Sequence, residues 1–261
     1  HTQRRRQRQM CIRDRLYTNK IVSMSEKEKV CIVTGVGPDK GTGAEIAKLF
    51  GKKKYKVAMI ARNKKNLNYL EKKYKNIFSY PCDVGDLEKF KKTLKKIKNN
   101  LGPADVVIHN APSASRGSIL KLNPDDLELN FRVNTTALLH LVRETLPSML
   151  SKKKGSILIT GNTAATRGKS HWGFFASTKA AQRILAESIA REFGPKGIHV
   201  AYFIIDAAID TPRTRPYMQP DKPDDYFSKP TAIAEEMYKT VLQDKSTWSF
   251  RVELRPFGET W

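Results

Sequence analysis

Cysteine is scarce in this 261-residue chain. There are three, Cys11, Cys31 and Cys82, and no CxxC pair. That excludes a disulfide scaffold and the thiolate clusters of structural zinc, so no metal site is expected and a reducing, cytoplasmic setting fits. Long apolar runs are missing too. None approaches the roughly eighteen residues of a membrane span, so no membrane partner is expected. Acidic residues are few, 26 against 48 Lys and Arg, for a net charge of +22. Internal repeats and linkers are absent.

Part of that charge sits in "HTQRRRQRQMCIRDRLYTNKIVS", residues 1–23, which is unlike the rest. "MCIRDR" is similar to a translated transposon-type sequencing adapter. A targeting peptide would need an apolar segment after the arginines, and there is none. Residues 1–23 are therefore expected to be a non-native or disordered basic leader, with Met24 as the start of a domain spanning 24–261. The leader takes six of the positive charges, leaving +16 on the domain, carried by 30 Lys and 11 Arg. Lysine is a solvated point charge, whereas nucleic-acid readers lean on arginine forks and aromatic stacking. In "LEKFKKTLKKIKNN" the apolar Leu87, Phe90, Leu94 and Ile97 fall at helical spacing with lysines between them. This predicts a core-facing helix with a basic outer face and no specific nucleic-acid partner.

From Lys29 onward, short apolar runs alternate with helical patterns. "KVCIVTG", "YKVAMIAR", "NIFSYPCDV", "ADVVIHNA", "GSILITGN", "GIHVAYFIID" and "TWSFRVELRP" read as seven strands. Most are continuous β-branched runs, which suit a parallel sheet covered on both faces. The helical stretches between them include residues 124–150 as one long helix and 174–194, ending at Gly194–Pro195. The expected fold is α/β: a single doubly wound, Rossmann-type domain with a seven-stranded parallel sheet flanked by helices on both faces.

"VTGVGPDKGTGAEIA" follows the first strand and opens the first helix. Gly35, Gly41 and Gly43 leave room for a pyrophosphate beside backbone N–H groups at the positive end of that helix. With "DV" after the third strand, "NA" after the fourth and "GFFASTKAAQ" at 173–182, the chain resembles the short-chain dehydrogenase/reductase family over residues 29–261. The family's usual turn is T-G-x-x-x-G-x-G. Here Thr34 to Gly43 holds two extra residues, a spacing similar to that of the divergent enoyl-thioester reductase branch, where Ser and Ala stand in place of Gly41 and Gly43.

The resemblance implies a nicotinamide dinucleotide. NAD-selective members end the second strand with a carboxylate; here Ala61 and Arg62 stand there. Arg62, with Lys40 in the glycine turn, matches a 2′-phosphate and favours NADP (NADPH) over NAD. Asp83 and Val84 match the family's adenine contacts. Asn110 and Ala111 match its N-N-A-G stretch, whereas His109 and Pro112 do not, and His109 reads as a packed strand-end residue.

Members of the family use Asn, Ser, Tyr and Lys for catalysis. Asn134 matches the Asn that props a water beside the lysine, Lys179 the lysine that holds the nicotinamide ribose, and Thr211 the threonine at the carboxamide. Asn162, with Thr163 beside it, stands at the serine position, and Phe175 at the tyrosine position, where it is not an acid. Trp172 takes the alternative tyrosine position of the enoyl-reductase branch. Other proton sources are water, Lys179 itself or His171. Residues 211–230 are expected to form a substrate lid, with Tyr217, Met218, Tyr226 and Phe227 as apolar contacts. The resemblance also implies a homodimer or homotetramer, paired through a helix face of Ala180, Ala181, Leu185, Ile189 and Ala190. Two functions follow: an NADP-dependent oxidoreductase acting on a small or medium carbonyl or enoyl substrate with an atypical proton donor, or a catalytically silent dinucleotide-binding sensor or inactive subunit.

Overall fold

The run Val30–Thr34 forms β1, with every side chain buried because both faces of the strand are covered. In this computed structural model residues 28–218 and 220–259 are described. The leader 1–23, with Cys11, and Met24 lie outside the described residues, as do the side chains of Tyr217 and Met218. After β1 the order is α1 (Thr42–Lys52), β2 (Lys56–Ala61), α2 (Lys64–Lys73), β3 (Ile77–Pro81), α3 (Leu87–Leu101), β4 (Val106–His109), α4 (Pro124–Phe131), a π turn (Arg132–Thr136) and α5 (Ala137–Ser151). Then come β5 (Gly155–Gly161), α6 (Gly173–Phe193), β6 (Ile198–Ile205), β7 (Ala208–Ile209), α7 (Arg215–Met218), β8 (Phe227–Ser228), α8 (Pro230–Val241) and β9 (Arg251–Leu254).

Seven strands form one sheet in the order β3-β2-β1-β4-β5-β6-β9, parallel throughout. Alternate residues of each central strand feed two cores. On one face Ile32, Ala58, Val107 and Ile157 meet Phe90, Leu94 and Ile97 of α3, together with Leu138 and Leu141 of α5. On the other, Cys31, Val57, Met59 and Val106 meet Phe50 of α1 and Met237 of α8. The lysine-rich helix α3 behaves as its spacing predicts, its buried residues being Phe90, Leu94 and Ile97. Among the described residues no helix is long and apolar enough to cross a membrane.

One expectation needs adjusting. Residues 124–151 are not one uniform α-helix, because the π turn at Arg132–Thr136 interrupts the ladder. On α6, Ile189 is buried, and Leu185 and Ala190 are partly buried against the chain's own core. The large apolar side chains left exposed on these helices are Leu129, Phe131, Leu139 and Ile184.

Candidate active site

Because the strands are parallel, their C-terminal ends share one edge, and the sheet order reverses direction between β1 and β4. A crevice opens at such a switch point. The glycine turn lies there. Gly35 has φ +70°, and a Cβ on it would come within 2.5 Å of the Ala111 backbone, so only glycine fits. A Cβ at Gly43 would sit 2.6 Å from the Gly35 carbonyl and 2.9 Å from the Asn110 amide. Asn110 Nδ2 donates to the Gly35 carbonyl at 3.0 Å, and the N–H groups of Asn110 and Ala111 donate to Thr34 Oγ1 at 3.1 and 3.2 Å. Asn110 and Ala111 thus lock the turn. Its outer side is open: a Cβ at Gly37 would meet nothing within 4 Å. Helix α1 starts at Thr42, and Gly41 before it has no side chain to cap the first N–H groups, which leaves them free for an anion.

The same turn carries a carboxylate, Asp39, that would repel a phosphate. Lys48 reaches it at 2.8 Å and Lys73 at 2.9 Å. Burial alone would push the Asp39 carboxyl up, but hydrogen bonds from the two lysines outweigh that and hold it well below the usual carboxylate range. Lys40 is exposed, with φ +67°. Arg62 is exposed one residue past β2 and has no hydrogen-bond or ion-pair partner among the described residues. Asp83 and Val84 follow β3. Asp83 Oδ1 accepts from Gly85 N–H at 2.9 Å, and Val84 is buried.

Behind the crevice lies a buried polar network. His109 Nδ1 lies 3.2 Å from Thr34 Oγ1, and its Nε2 lies 3.1 Å from the Val133 carbonyl. Since that carbonyl only accepts, Nε2 carries the proton and Nδ1 accepts from Thr34. Burial, with the Lys179 charge nearby, pushes the His109 pKa down to about 3. His109 is therefore a packed, neutral strand-end residue. Asn134 sits in the π turn. Its Oδ1 accepts from Ser113 N–H at 2.9 Å, while Nδ2 donates to the Ser113 carbonyl at 2.8 Å and to Thr178 Oγ1 at 2.9 Å. Lys179, 4% exposed, points its Nζ at the Thr160 carbonyl (2.8 Å) and at Gln182 Oε1 (2.5 Å). Burial pushes its pKa down to about 7. Tyr202, on β6, directs its hydroxyl at Gln182 Oε1 (3.3 Å) and the Lys179 carbonyl (3.4 Å), and burial pushes that phenol up.

Beside the network, a cleft of about 290 Å³ is lined by Asn162, Thr163, Ala164, Arg167, Lys169, Trp172, Phe175, Ile205, Asp206, Ala207 and Glu259. Asn162, Thr163, Phe175, Trp172 and Asp206 thus lie together along one cleft. The Phe175 ring is buried and lies 5.9 Å from that of Trp172. Lys179 is not part of this lining. Asp206 is engaged by Arg255 at 2.5 Å and by Arg167 at 3.8 Å. Glu259 Oε2 is buried without a hydrogen-bond partner among the described residues. His171, with φ +65°, stays exposed outside the lining. Thr211 Oγ1 accepts from Thr214 N–H at 3.0 Å, capping the turn before α7. Tyr226 packs edge-on against Phe227 and does not line the cleft.

Sequence reasoning passed over Gln182, Tyr202 and Glu259. A glutamine three residues after a lysine on a helix facing the sheet was the available signal, since that stripe is otherwise apolar or small.

A family model described as short chain dehydrogenase matches residues 29–221. The chain is 27% identical over 172 residues to carbonyl reductase family member 4 of Xenopus laevis, covering 66% of this chain and 72% of that one. A solved short-chain dehydrogenase from Rhodopseudomonas palustris superposes with a TM-score of 0.74 at 29% identity, over 89% of this chain and all of that one. A metagenomic short-chain oxidoreductase solved in complex with NADP gives a TM-score of 0.75 at 22% identity, over 87% and 97%.

Proposed function

The chain belongs to the short-chain dehydrogenase family, and we propose that it is an NADP-dependent oxidoreductase with a displaced proton donor. On this reading it moves a hydride between the coenzyme and a small or medium carbonyl or enoyl substrate held in the Asn162–Asp206 cleft. The observation that carries the proposal is the locked glycine turn: Gly35 and Gly43 admit no side chain, Asn110 pins the bend, and the α1 N–H groups stay uncapped. NADP supplies or accepts the hydride when bound; a metagenomic relative is solved with it.

The residues have these roles. The α1 N-terminus and the turn's N–H groups hold the pyrophosphate. Arg62, with Lys40, pairs with the 2′-phosphate, where an NAD-type carboxylate would repel it. Asp83 and Val84 border the adenine, and Lys179 and Thr211 hold the nicotinamide half. Asn162 and Thr163 offer hydrogen bonds to the substrate oxygen. The Trp172 and Phe175 rings keep water from the reacting carbon, but neither delivers a proton. Glu259 takes that role, its Oε2 being buried without a hydrogen-bond partner among the described residues. The protein works as a cytoplasmic homodimer or homotetramer, with no membrane or specific nucleic-acid partner.

The alternative is a catalytically silent dinucleotide-binding sensor or inactive subunit. Two observations favour it: the bare ring of Phe175 and the engagement of Lys179 away from the cleft. One experiment separates the readings. NADPH and NADH are titrated by fluorescence, and whichever binds is screened for oxidation by aldehydes, ketones and enoyl thioesters. Turnover with NADPH selects the enzyme. Tight NADPH binding without turnover selects the sensor, and failure of both coenzymes to bind removes both.

A further inference from the structure

Gln182 is fully buried, and every polar contact it makes is to the machinery around Lys179. Its Nε2 donates to the Asn134 carbonyl at 2.5 Å, and its Oε1 accepts from Lys179 Nζ at 2.5 Å and from the Tyr202 hydroxyl at 3.3 Å. Residues 179 and 182 lie three apart on α6, so their side chains share one face. The Asn134 carbonyl is within reach because it belongs to the π turn, where the regular ladder of helix bonds is broken. From these contacts we infer that Gln182 is a positioning residue that tethers Lys179 to the π turn and holds its Nζ against the sheet, out of the cleft.

The chemistry of the tether matters. A carboxamide donates and accepts hydrogen bonds, but it neither takes up nor releases a proton near neutral pH. A water or a carboxylate between Asn134 and Lys179 would pass protons inward; Gln182 does not. Nζ also donates to the Thr160 carbonyl of β5, so two acceptors on one side fix its direction. The titratable groups facing it are His109 from β4 and Tyr202 from β6. Neither is a carboxylate, so the acceptors that support a charged Nζ here are the Thr160 carbonyl and the Gln182 amide oxygen. Lysine reaches a ribose only by exchanging the Gln182 contact for it. Gln182 thereby sets both the protonation of Lys179 and its availability.

This rests on the coenzyme reading only for its second consequence, and the test separates the two. In the full chain, lysine labelled at Cε is followed by NMR across pH 5–11, with the Lys179 signal assigned through Lys179→Arg. Gln182→Glu is expected to raise the Lys179 titration midpoint by at least one unit, because a carboxylate favours the ammonium. Gln182→Leu is expected to lower it, because an acceptor is lost. A midpoint unmoved in both folded variants overturns the tether, as a merely structural glutamine would leave it alone. If Gln182→Leu does not fold, the Gln182→Glu shift and a Gln182→Met control decide. NADPH affinity is then measured: Gln182→Glu should weaken it roughly tenfold. Absent NADPH binding in the unaltered protein would defeat the coenzyme reading while the NMR result stood.

Discussion

Gly161 leaves the space that the Tyr202 ring fills: a β-carbon at position 161 would lie 2.1 Å from the ring's Cε1. The two residues sit on adjacent parallel strands, and the ring in turn presents its hydroxyl to Gln182. Gly161→Ala is therefore expected to destabilise the protein by about 1–3 kcal/mol, the usual cost of overpacking a filled core. Urea unfolding measures it. Pairing the change with Tyr202→Leu should recover part of the loss, and a single variant as stable as the parent would show that the ring is free to move.

Phe175→Tyr tests the reaction end. A hydroxyl there would face the cleft, so reduction of a carbonyl substrate should rise at least tenfold, toward the roughly 10²–10⁴-fold that a positioned general acid contributes. Steady-state rates with NADPH give the answer. Unchanged rates in a folded variant would remove Phe175 from the reacting position.

Glu259→Gln asks the complementary question. It keeps the shape of the side chain but cannot supply a proton, so turnover should fall by roughly 10²-fold with little change in NADPH affinity. Phe175→Tyr in the same chain should restore much of the loss. A Glu259→Gln protein with parental turnover would place the proton source elsewhere.

Arg62→Asp puts a carboxylate at the end of β2. The ratio of NADPH to NADH affinity should drop by about tenfold or more, since a charged hydrogen bond is exchanged for a repulsion. Fluorescence titration of both coenzymes checks this; an unmoved ratio takes Arg62 out of the site.

His109 gives the fold a pH dependence. Its pKa is about 3 in the fold and ordinarily about 6.5, so as pH falls the unfolded chain takes up the proton first. The stability from keeping the imidazole neutral is complete above about pH 6.5 and is lost as pH falls from there toward 3, on the order of 5 kcal/mol in all. His109→Gln does not titrate and should flatten that acid limb, as measured by denaturation midpoints at pH 7, 5.5 and 4. Parallel slopes for the two proteins would assign the loss to other groups.

Much of the fold was legible. The strands announced themselves because a parallel sheet buried on both sides demands unbroken apolar runs, as in Val30–Thr34 and Ile198–Ile205. The glycine turn was legible because Gly35 and Gly43 leave no room for a side chain. The π turn was not, since Arg132–Thr136 carries no residue type that marks it. Nor were the partners of Asp39, because Lys73 is 34 residues away in sequence and only the fold joins them. Gln182 was passed over because its partners, the Asn134 carbonyl and the Tyr202 hydroxyl, lie 48 and 20 residues away in sequence. Lys179 was found by its pattern, but its direction depends on Thr160 and Gln182, which no linear spacing reveals.

The break at Arg132–Thr136 also works as a phase shift. One surplus residue advances everything after it by about 100° around the axis of the rod. Before it, Asn130 reaches toward Ser115, and within it Asn134 grips the Ser113 backbone; after it, Leu138, Leu141 and Val142 are already turned to the sheet. Deleting a single residue there would bring the two halves back into step, and one of them, the asparagine side or the leucine side, would then be aimed at water.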